Sequence, residues 1–297
     1  MKLIGKELCK KSWMAFAIIP LAAAAFPSKA GTLANVGFSG GLEAYHLREI
    51  ESTGTRLLSE TGNRYTMSIF IDSADQLRNT TPLIFHVEAS GYFGRVNYDG
   101  KSQSIDPVQS NIPLKSNTTY QGGRVEGLLG YQFDLSNSSR AFEFLGGLGT
   151  DFWNRHIDST VTNTGVFVSG IDETYRVYYG KAAFGIRNPL LSSWQNRLRL
   201  GIKVPFRIDE SIDLKAVGYD NNLKISPGNN YSFFITFSLN PKPTEKKSGV
   251  PIINAYYDSY RFNPSKSKTA TRNGIPIQVW QPETHIDIIG LQIGYRF

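Results

Sequence analysis

The sequence is poor in cysteine, in histidine and in long apolar runs, and each shortage excludes a class of protein. The 297 residues contain one cysteine, Cys9, and four scattered histidines. The chain beyond residue 30 therefore has no disulfide, no thiol nucleophile and no zinc-ligand spacing, and we expect no metal ion and no cofactor. No run of about 18 apolar residues follows the amino terminus, which excludes a bundle of transmembrane helices.

The amino terminus has the layout of a secretory signal peptide. Four lysines precede an apolar stretch from Trp13 to Phe26, and small residues follow at Ser28 and Ala30. A membrane anchor is the alternative, but an apolar stretch of about 14 residues is short for one. We predict that residues 1–30 are a signal peptide cleaved after Ala30, and that residues 31–297 form a single domain.

Removal of this segment changes the charge of the chain. Residues 1–30 carry five lysines and one glutamate, so the formal charge falls from +7 to about +3. The basic character lies mostly in the predicted signal, and it is no argument for a nucleic-acid partner.

The rest of the sequence alternates between apolar and polar residues with a period of two. From Arg197 to Asp209, apolar side chains occupy every second position and Arg197, Arg199, Lys203 and Arg207 share the other face. Alternation of this kind is typical of β-strands. About ten such segments occur, among them Arg64 to Asp72 and Tyr120 to Leu135, and the connections between them are alternately shorter and longer.

Two all-β architectures produce this pattern, and the polar faces distinguish them. A soluble sandwich or lipocalin-like barrel hides the apolar face, whereas a membrane barrel turns it toward lipid. Bases concentrate on the strand from Arg197, while Glu88, Glu126 and Glu143 lie on other strands. Such groups can pair across a closed interior. We predict a closed antiparallel up-and-down transmembrane β-barrel of about ten strands, with eight or twelve as alternatives.

The last nine residues, Ile289 to Phe297, resemble the terminal strand of Gram-negative outer-membrane β-barrel proteins. In that class, a terminal phenylalanine with alternating apolar residues is the signal read by the barrel assembly machinery. The resemblance implies that Tyr295 and Phe297 form this signal and that the chain lies in the outer membrane, among lipid and lipopolysaccharide. It identifies no specific family and no extracellular ligand.

Charged residues predicted to face the lumen form the candidate site. They are Glu43, Glu88, Arg124, Glu126, Glu143, Lys181, Arg187, Arg199, Lys203 and Arg207. These groups either pair with one another and fill the interior, or they line a narrow pore that prefers anions.

Catalytic groups are sparse. Omptin proteases, which are similar ten-stranded barrels, carry an Asp–Asp pair and a His–Asp pair at the extracellular rim. The candidates here are the acids Asp209, Glu210 and Asp213, with His156 and Asp158 or with His285 and Asp287, but the omptin motif is not matched. His86, Glu88 and Ser90 share one strand face, where a luminal hydrogen-bond ladder is favoured over an enzymatic site.

Three functions are compatible with these patterns. The first is a non-enzymatic surface protein whose loops contact partners outside the cell. The second is a small porin-like passive channel, and the third is an outer-membrane hydrolase. We assign no catalytic residue, and we expect no nucleic-acid partner.

Overall fold

The computed structural model describes residues 35–72, 82–101, 112–135, 140–190, 194–241 and 249–297. The predicted signal peptide, with Cys9, lies outside the described residues. Within these ranges, no helix is both long enough and apolar enough to cross a membrane.

Ten long strands, counted over the described residues, build the barrel. They are β1 (Asn35–Ile50), β2 (Arg56–Asp72), β3 (Leu83–Lys101), β4 (Pro113–Asp134), β5 (Ala141–Ile157), β8 (Ile171–Pro189), β9 (Trp194–Ile212), β12 (Ser232–Pro241), β13 (Val250–Asn263) and β16 (Glu283–Arg296). Short strands lie in the connections between them. These are β6 (Thr160–Val161), β7 (Phe167–Val168), β10 (Leu223–Ile225), β11 (Gly228–Asn229), β14 (Lys268–Arg272) and β15 (Ile275–Val279).

The long strands pair antiparallel in a closed ring. Each pairs with the next long strand along the chain, and β1 pairs with β16 from Gly37↔Arg296 to Ile50↔Glu283. Because the first and last strands meet, each of the ten long strands has a partner on both sides in the described part of the chain, as a membrane barrel requires. The prediction of a closed antiparallel barrel of about ten strands is confirmed.

The alternation matches the predicted faces on most of the barrel wall, with an exception near the end of β9. On β16, Leu291 is 55% exposed and its neighbour Gln292 is 5% exposed. Phe206 and Phe237 lie on the outside, whereas Arg199 lies inside with 8% exposure. The outer face therefore carries apolar side chains, and the inner face carries the charged ones together with an apolar core toward one end.

Outward aromatic pairs occur near both limits of the apolar face. Tyr65 on β2 stacks on Phe93 on β3, with ring centroids 5.3 Å apart. Beyond this pair the outward residues become polar, at Asn63 and Arg95. Near the chain termini, Phe297 contacts Phe38 and Tyr295. Aromatic residues at these levels are typical of the two membrane–water interfaces.

We name the two ends of the barrel by what they carry. The terminus end holds both ends of the barrel sheet, where the Phe297 amide donates to the Val36 carbonyl at 2.8 Å. The loop end holds the connections β5–β8, β9–β12 and β13–β16, which contain the short strands.

The strands extend farther toward the loop end than the sequence pattern predicted. The pattern indicated a strand start at Tyr120 and another at Arg64, but β4 begins at Pro113 and β2 begins at Arg56.

We call the zone of outward apolar side chains between the Tyr65–Phe93 pair and Phe297 the apolar belt. Between this belt and the loop end, outward residues are polar, and the inner face mixes apolar residues such as Leu58 with polar ones such as Glu60. The period of two is therefore lost there, although the backbone pairing continues.

Gly41 shows why one strand contact needs glycine. A Cβ atom at this position would collide with the Leu291 carbonyl oxygen on β16. The close backbone approach occurs at the pairing of first and last strands, so Gly41 permits the ring to close.

Candidate functional site: the lumen and the loop end

A hydrophobic core occupies the part of the lumen toward the loop end. Its members are inward side chains from nearly every barrel strand, and many are aromatic. They are Tyr45, Leu47, Leu58, Tyr92, Val96, Tyr98, Leu114, Tyr120, Trp153, Tyr175, Val177, Tyr179, Ile208, Tyr260, Phe262, Ile286 and Ile288. Trp153 stacks on Tyr175 at 4.9 Å, and Tyr260 lies beside both Trp153 and Tyr179. We call this core the aromatic plug.

Arg155 holds together three acidic side chains beside the plug. Its guanidinium contacts Glu49 at 3.2 Å, Glu60 at 2.8 Å and Glu173 at 2.6 Å. Glu60 also accepts hydrogen bonds from Tyr120 and from Thr118. These groups come from five different strands, so the cluster ties the wall of the barrel together across its interior.

The Arg155 cluster has more acid than base. Glu210 on β9 lies near Glu173 and Glu49, is 1% exposed, and makes no ion pair among the described residues. The cluster lies beyond the apolar belt, where outward neighbours such as Arg48 and Asp209 are polar. Burial raises the pKa of Glu49 to about 7, although Arg155 opposes that shift. Burial and the two neighbouring carboxylates also raise the pKa of Glu210 well above its ordinary value.

The middle of the lumen is filled by paired charges. Arg124 contacts Asp151 at 3.2 Å and Asp258 at 3.1 Å, and Lys203 contacts Asp258 at 2.6 Å. Tyr260 contributes its hydroxyl, which donates to Asp151 at 2.6 Å. Two further pairs are Lys181 with Glu126 at 2.7 Å and Arg64 with Glu43 at 2.6 Å. Glu43 with Arg64 and Arg124 with Asp151 are direct cross-strand partners, whereas Arg124 with Asp258 joins β4 to β13 across the ring.

Toward the terminus end, Glu143 is shared by two arginines. Arg197 lies 3.0 Å from one carboxylate oxygen of Glu143, and Arg199 lies 2.9 Å from the other. Arg197 also pairs with Asp72 at 3.0 Å. A cavity of about 130 Å³ remains between this layer and the paired charges of the middle, and its lining includes Glu88, Arg124 and Lys181.

Nine of the ten predicted lumen residues lie on the inner face. Among these, Glu88 contacts His86 at 3.4 Å, and Arg187 lies 3.7 Å from Asp134. The prediction for Arg207 is wrong. The pairing of β8 with β9 shifts register at Tyr178 and Tyr179, and this shift turns the Arg207 side chain to the outside, where it bonds to Asp209 at 2.7 Å.

Several lumen acids and bases were not predicted from the sequence. Glu60, Arg64 and Asp258 each carry strong pairs in the interior. Arg64 and Asp258 follow the period of two and were available from the pattern. Glu60 lies beyond the apolar belt, where the alternation ends, and no sequence signal marks it.

The histidine candidates are dispersed. His156 is on the outer face of β5, where its side chain contacts Asp172 and Asp158, whereas His285 pairs with Glu283 at 2.8 Å on β16. Among the described residues, no hydrogen bond or ion pair joins either histidine to the acids at 209, 210 and 213. His86 contacts Glu88, but no hydrogen bond in the described ranges joins His86 to Ser90. The described ranges also contain no group of three or more His, Cys, Asp or Glu residues that could hold a metal ion.

At the loop end, two connections pack against each other. Ile212, Leu214, Leu223 and Ile225 from the β9–β12 connection form a small core with Ala270 of β14. We call the segment from Asp213 to Ile225, with the β14–β15 hairpin and its flanks from Pro264 to Trp280, the loop platform.

Asp220 fixes the hairpin of the loop platform. Its amide donates to the Thr271 carbonyl at 2.8 Å, and its carboxylate accepts from the amides of Asn273 at 3.1 Å and Gly274 at 3.0 Å. The Gly274 amide is the main reason why the pKa of Asp220 is lowered. Asn273 and Gly274 both have positive φ, so these bonds stabilise a tight turn.

Comparison with known proteins identifies the fold. No protein-family model and no curated protein sequence matches the chain. Among solved structures, the outer membrane protease OmpT from Escherichia coli matches with a TM-score of 0.53 and 8% identity, over 89% of this chain and 96% of that one. The chain has the fold of outer-membrane β-barrel proteins. The translocator domain of the autotransporter NalP from Neisseria meningitidis also matches, with a TM-score of 0.40 and 9% identity over 91% of this chain and 90% of that one.

Proposed function

We propose that this outer-membrane β-barrel protein is a surface protein whose barrel is a closed, charge-filled anchor and whose loop end contacts partners outside the cell. The filled lumen carries this proposal. The aromatic plug and the Arg155 cluster occupy the interior toward the loop end, and paired charges occupy the middle. A passive pore needs a continuous water-filled path, which this packing opposes.

The orientation follows from general features of membrane barrels. Short turns face the periplasm and longer loops face the outside, so the loop end is extracellular. We also propose that a signal peptide is cleaved after Ala30 and that Tyr295 and Phe297 direct assembly of the barrel. Outer-membrane lipid and lipopolysaccharide would then surround it. A Gram-negative cell is the setting that fits these expectations.

A small passive channel is the second candidate, favoured by the cavity near Glu143 and by the basic residues around it. Single-channel conductance in a planar lipid bilayer separates the two candidates. We expect a silent bilayer for the native protein. Discrete conductance steps whose ion selectivity reverses in Arg199→Glu would contradict the closed anchor and support the channel.

The orientation has its own test. An epitope tag inserted at Gly274, in the hairpin turn of the loop platform, should bind antibody on intact cells. A tag inserted after Leu190, at the terminus end, should bind only after the outer membrane is permeabilised. The reverse result would contradict the proposed orientation.

A further inference from the structure

The loop platform carries an excess of exposed positive charge. Five bases on it are exposed, and none makes an ion pair among the described residues. They are Lys215, Lys224, Lys266, Lys268 and Arg272, and we call them the basic patch. The platform contains two acids, Asp213 and Asp220, and the Asp220 carboxylate already accepts two backbone amides.

Some exposed bases elsewhere near the loop end are paired, as Arg95 is with Asp158 and Arg207 with Asp209. Arg56 and Lys115 are exposed too, but they lie on two other strands, β2 and β4. The loop platform, with five bases on two connections that pack together, therefore carries the densest positive charge among these groups. Unpaired surface charges of one sign attract an oppositely charged partner and raise its rate of association.

The patch is held in place before any partner arrives. The small core beneath Ala270 and the Asp220 bonds to the hairpin turn fix the two connections against each other. Arg272 also lies over the Tyr219 ring, at 5.7 Å from its centroid. Fixed charges lose less conformational entropy when a ligand binds than charges on a mobile loop would lose.

An exposed aromatic ring lies next to the bases. Trp280 is exposed and follows Val279, which pairs with Lys268 across the hairpin. The next residue, Gln281, exchanges hydrogen bonds with Ser265, and this contact brings Trp280 near Lys266. An indole ring can pack on the apolar face of a sugar ring while neighbouring ammonium groups contact its acidic substituents.

We propose that the basic patch binds an acidic polysaccharide, with Trp280 packing on a sugar ring. Four of the five bases are lysines, whose ammonium groups act as point charges. Point charges suit a flexible chain that carries many sulfate or carboxylate groups, whereas bidentate recognition of a single group would favour arginine. Single-stranded nucleic acid is the less favoured polyanion, because its binding uses several successive aromatic platforms along a groove. Trp280 is the one exposed tryptophan, tyrosine or phenylalanine among the described platform residues.

The test uses the full mature chain in nanodiscs of zwitterionic lipid, so that no anionic lipid competes. Heparin is the sulfated probe, hyaluronan the carboxylated probe, dextran the neutral control and single-stranded oligo-dT the nucleic-acid probe. We expect heparin or hyaluronan to bind, dextran not to bind, and affinity to fall as salt rises. Absence of binding by both acidic polysaccharides would overturn the proposal.

Matched variants locate the site. Lys266→Gln with Lys268→Gln should weaken polysaccharide binding about tenfold, and Trp280→Ala should weaken it by a similar factor. Arg56→Gln with Lys115→Gln removes the same charge from the loop ends of β2 and β4 and should change binding less than about twofold. Equal loss in both double variants would overturn the assignment to the patch. Oligo-dT bound as tightly, with the same dependence on the variants, would overturn the polysaccharide in favour of nucleic acid.

This inference rests on the proposed function, and the two can fail separately. A silent bilayer with no polysaccharide binding would leave the closed anchor in place and remove the polysaccharide. Conductance steps would contradict the closed anchor. The folded state of each variant is checked by its heat-dependent shift in mobility on an SDS gel, so that loss of binding is not confused with loss of the barrel.

Discussion

The excess of buried acid around Arg155 leads to a prediction with an unusual sign. Replacing Glu210 with Gln removes one carboxylate but keeps the size of the side chain. Arg155 already bonds to Glu49, Glu60 and Glu173, so the Glu210 charge is not compensated by an ion pair within the described residues. We expect Glu210→Gln to stabilise the folded barrel at pH 8.

The magnitude follows from the shifted pKa values. Burial raises the pKa of Glu49 from 4.5 to about 7. A raised carboxyl pKa means that folding favours the protonated form, so this stability is present below pH 4.5 and is lost as pH rises to about 7. The loss is about 3 kcal/mol, at roughly 1.4 kcal/mol per pH unit. Removing the Glu210 charge should recover on the order of 1–3 kcal/mol at pH 8.

Urea titration in detergent micelles at pH 5 and pH 8 provides the assay. Tryptophan emission reports unfolding because Trp153 is buried in the aromatic plug. Glu60→Gln is the control, since Glu60 is the acid that Arg155, Tyr120 and Thr118 share, and its replacement should destabilise the barrel. If Glu210→Gln lowers stability at pH 8, or acts equally at both pH values, the reasoning about uncompensated charge is refuted.

Three further substitutions test other parts of the structure. Leu291→Lys places a charge on the apolar belt and should lower the free energy of unfolding in vesicles by about 2–4 kcal/mol, whereas Leu291→Ile should change it little. Equal losses in the two variants would argue against contact between Leu291 and lipid. Arg64→Met leaves the buried Glu43 carboxylate without the Arg64 guanidinium and should lower the free energy of unfolding by about 3–5 kcal/mol. Adding Glu43→Gln to that variant should restore most of the lost stability, and no recovery would contradict a strong pair. Asp220→Ala should increase amide hydrogen exchange at Asn273 and Gly274 without unfolding the barrel. Because the pKa of Asp220 is lowered in the folded protein, its carboxylate should protect these two amides above pH 3.8, and the protection should be lost as the pH falls through the lowered pKa. Exchange that does not change in Asp220→Ala would contradict the role of Asp220 in the turn.

The sequence was sufficient to predict the barrel because lipid and a closed interior impose opposite demands on alternate residues. Leu291 and Gln292, or Leu200 and Arg199, could each be assigned to a face from the period of two alone. The terminal strand was recognised by its resemblance to the terminal strands of outer-membrane barrels, which show the same alternation. These predictions depend on local spacing, which the chain displays directly.

The remaining features depend on register and on contacts between distant segments. Arg207 was assigned to the wrong face because a register shift between β8 and β9 has no local signature. Arg155 follows the period of two, but its partners Glu60 and Glu173 were not foreseen, because they lie where the strands have left the membrane and the pattern ends. The loop platform joins Asp220 to Asn273, and no periodicity relates two loops so far apart in sequence.

Site-directed spin labelling along β16 tests most directly whether the apolar face of the barrel meets lipid. The mature chain, if cleaved after Ala30, has no cysteine, so single cysteines at 289, 290, 291, 292 and 293 can be labelled without background. In lipid vesicles we expect labels at 289, 291 and 293 to collide with dissolved oxygen and to be shielded from a water-soluble nickel complex, with low oxygen access at 290 and 292. Uniform access to the nickel complex, or oxygen access highest at 290 and 292, would contradict a barrel whose apolar side chains face the membrane.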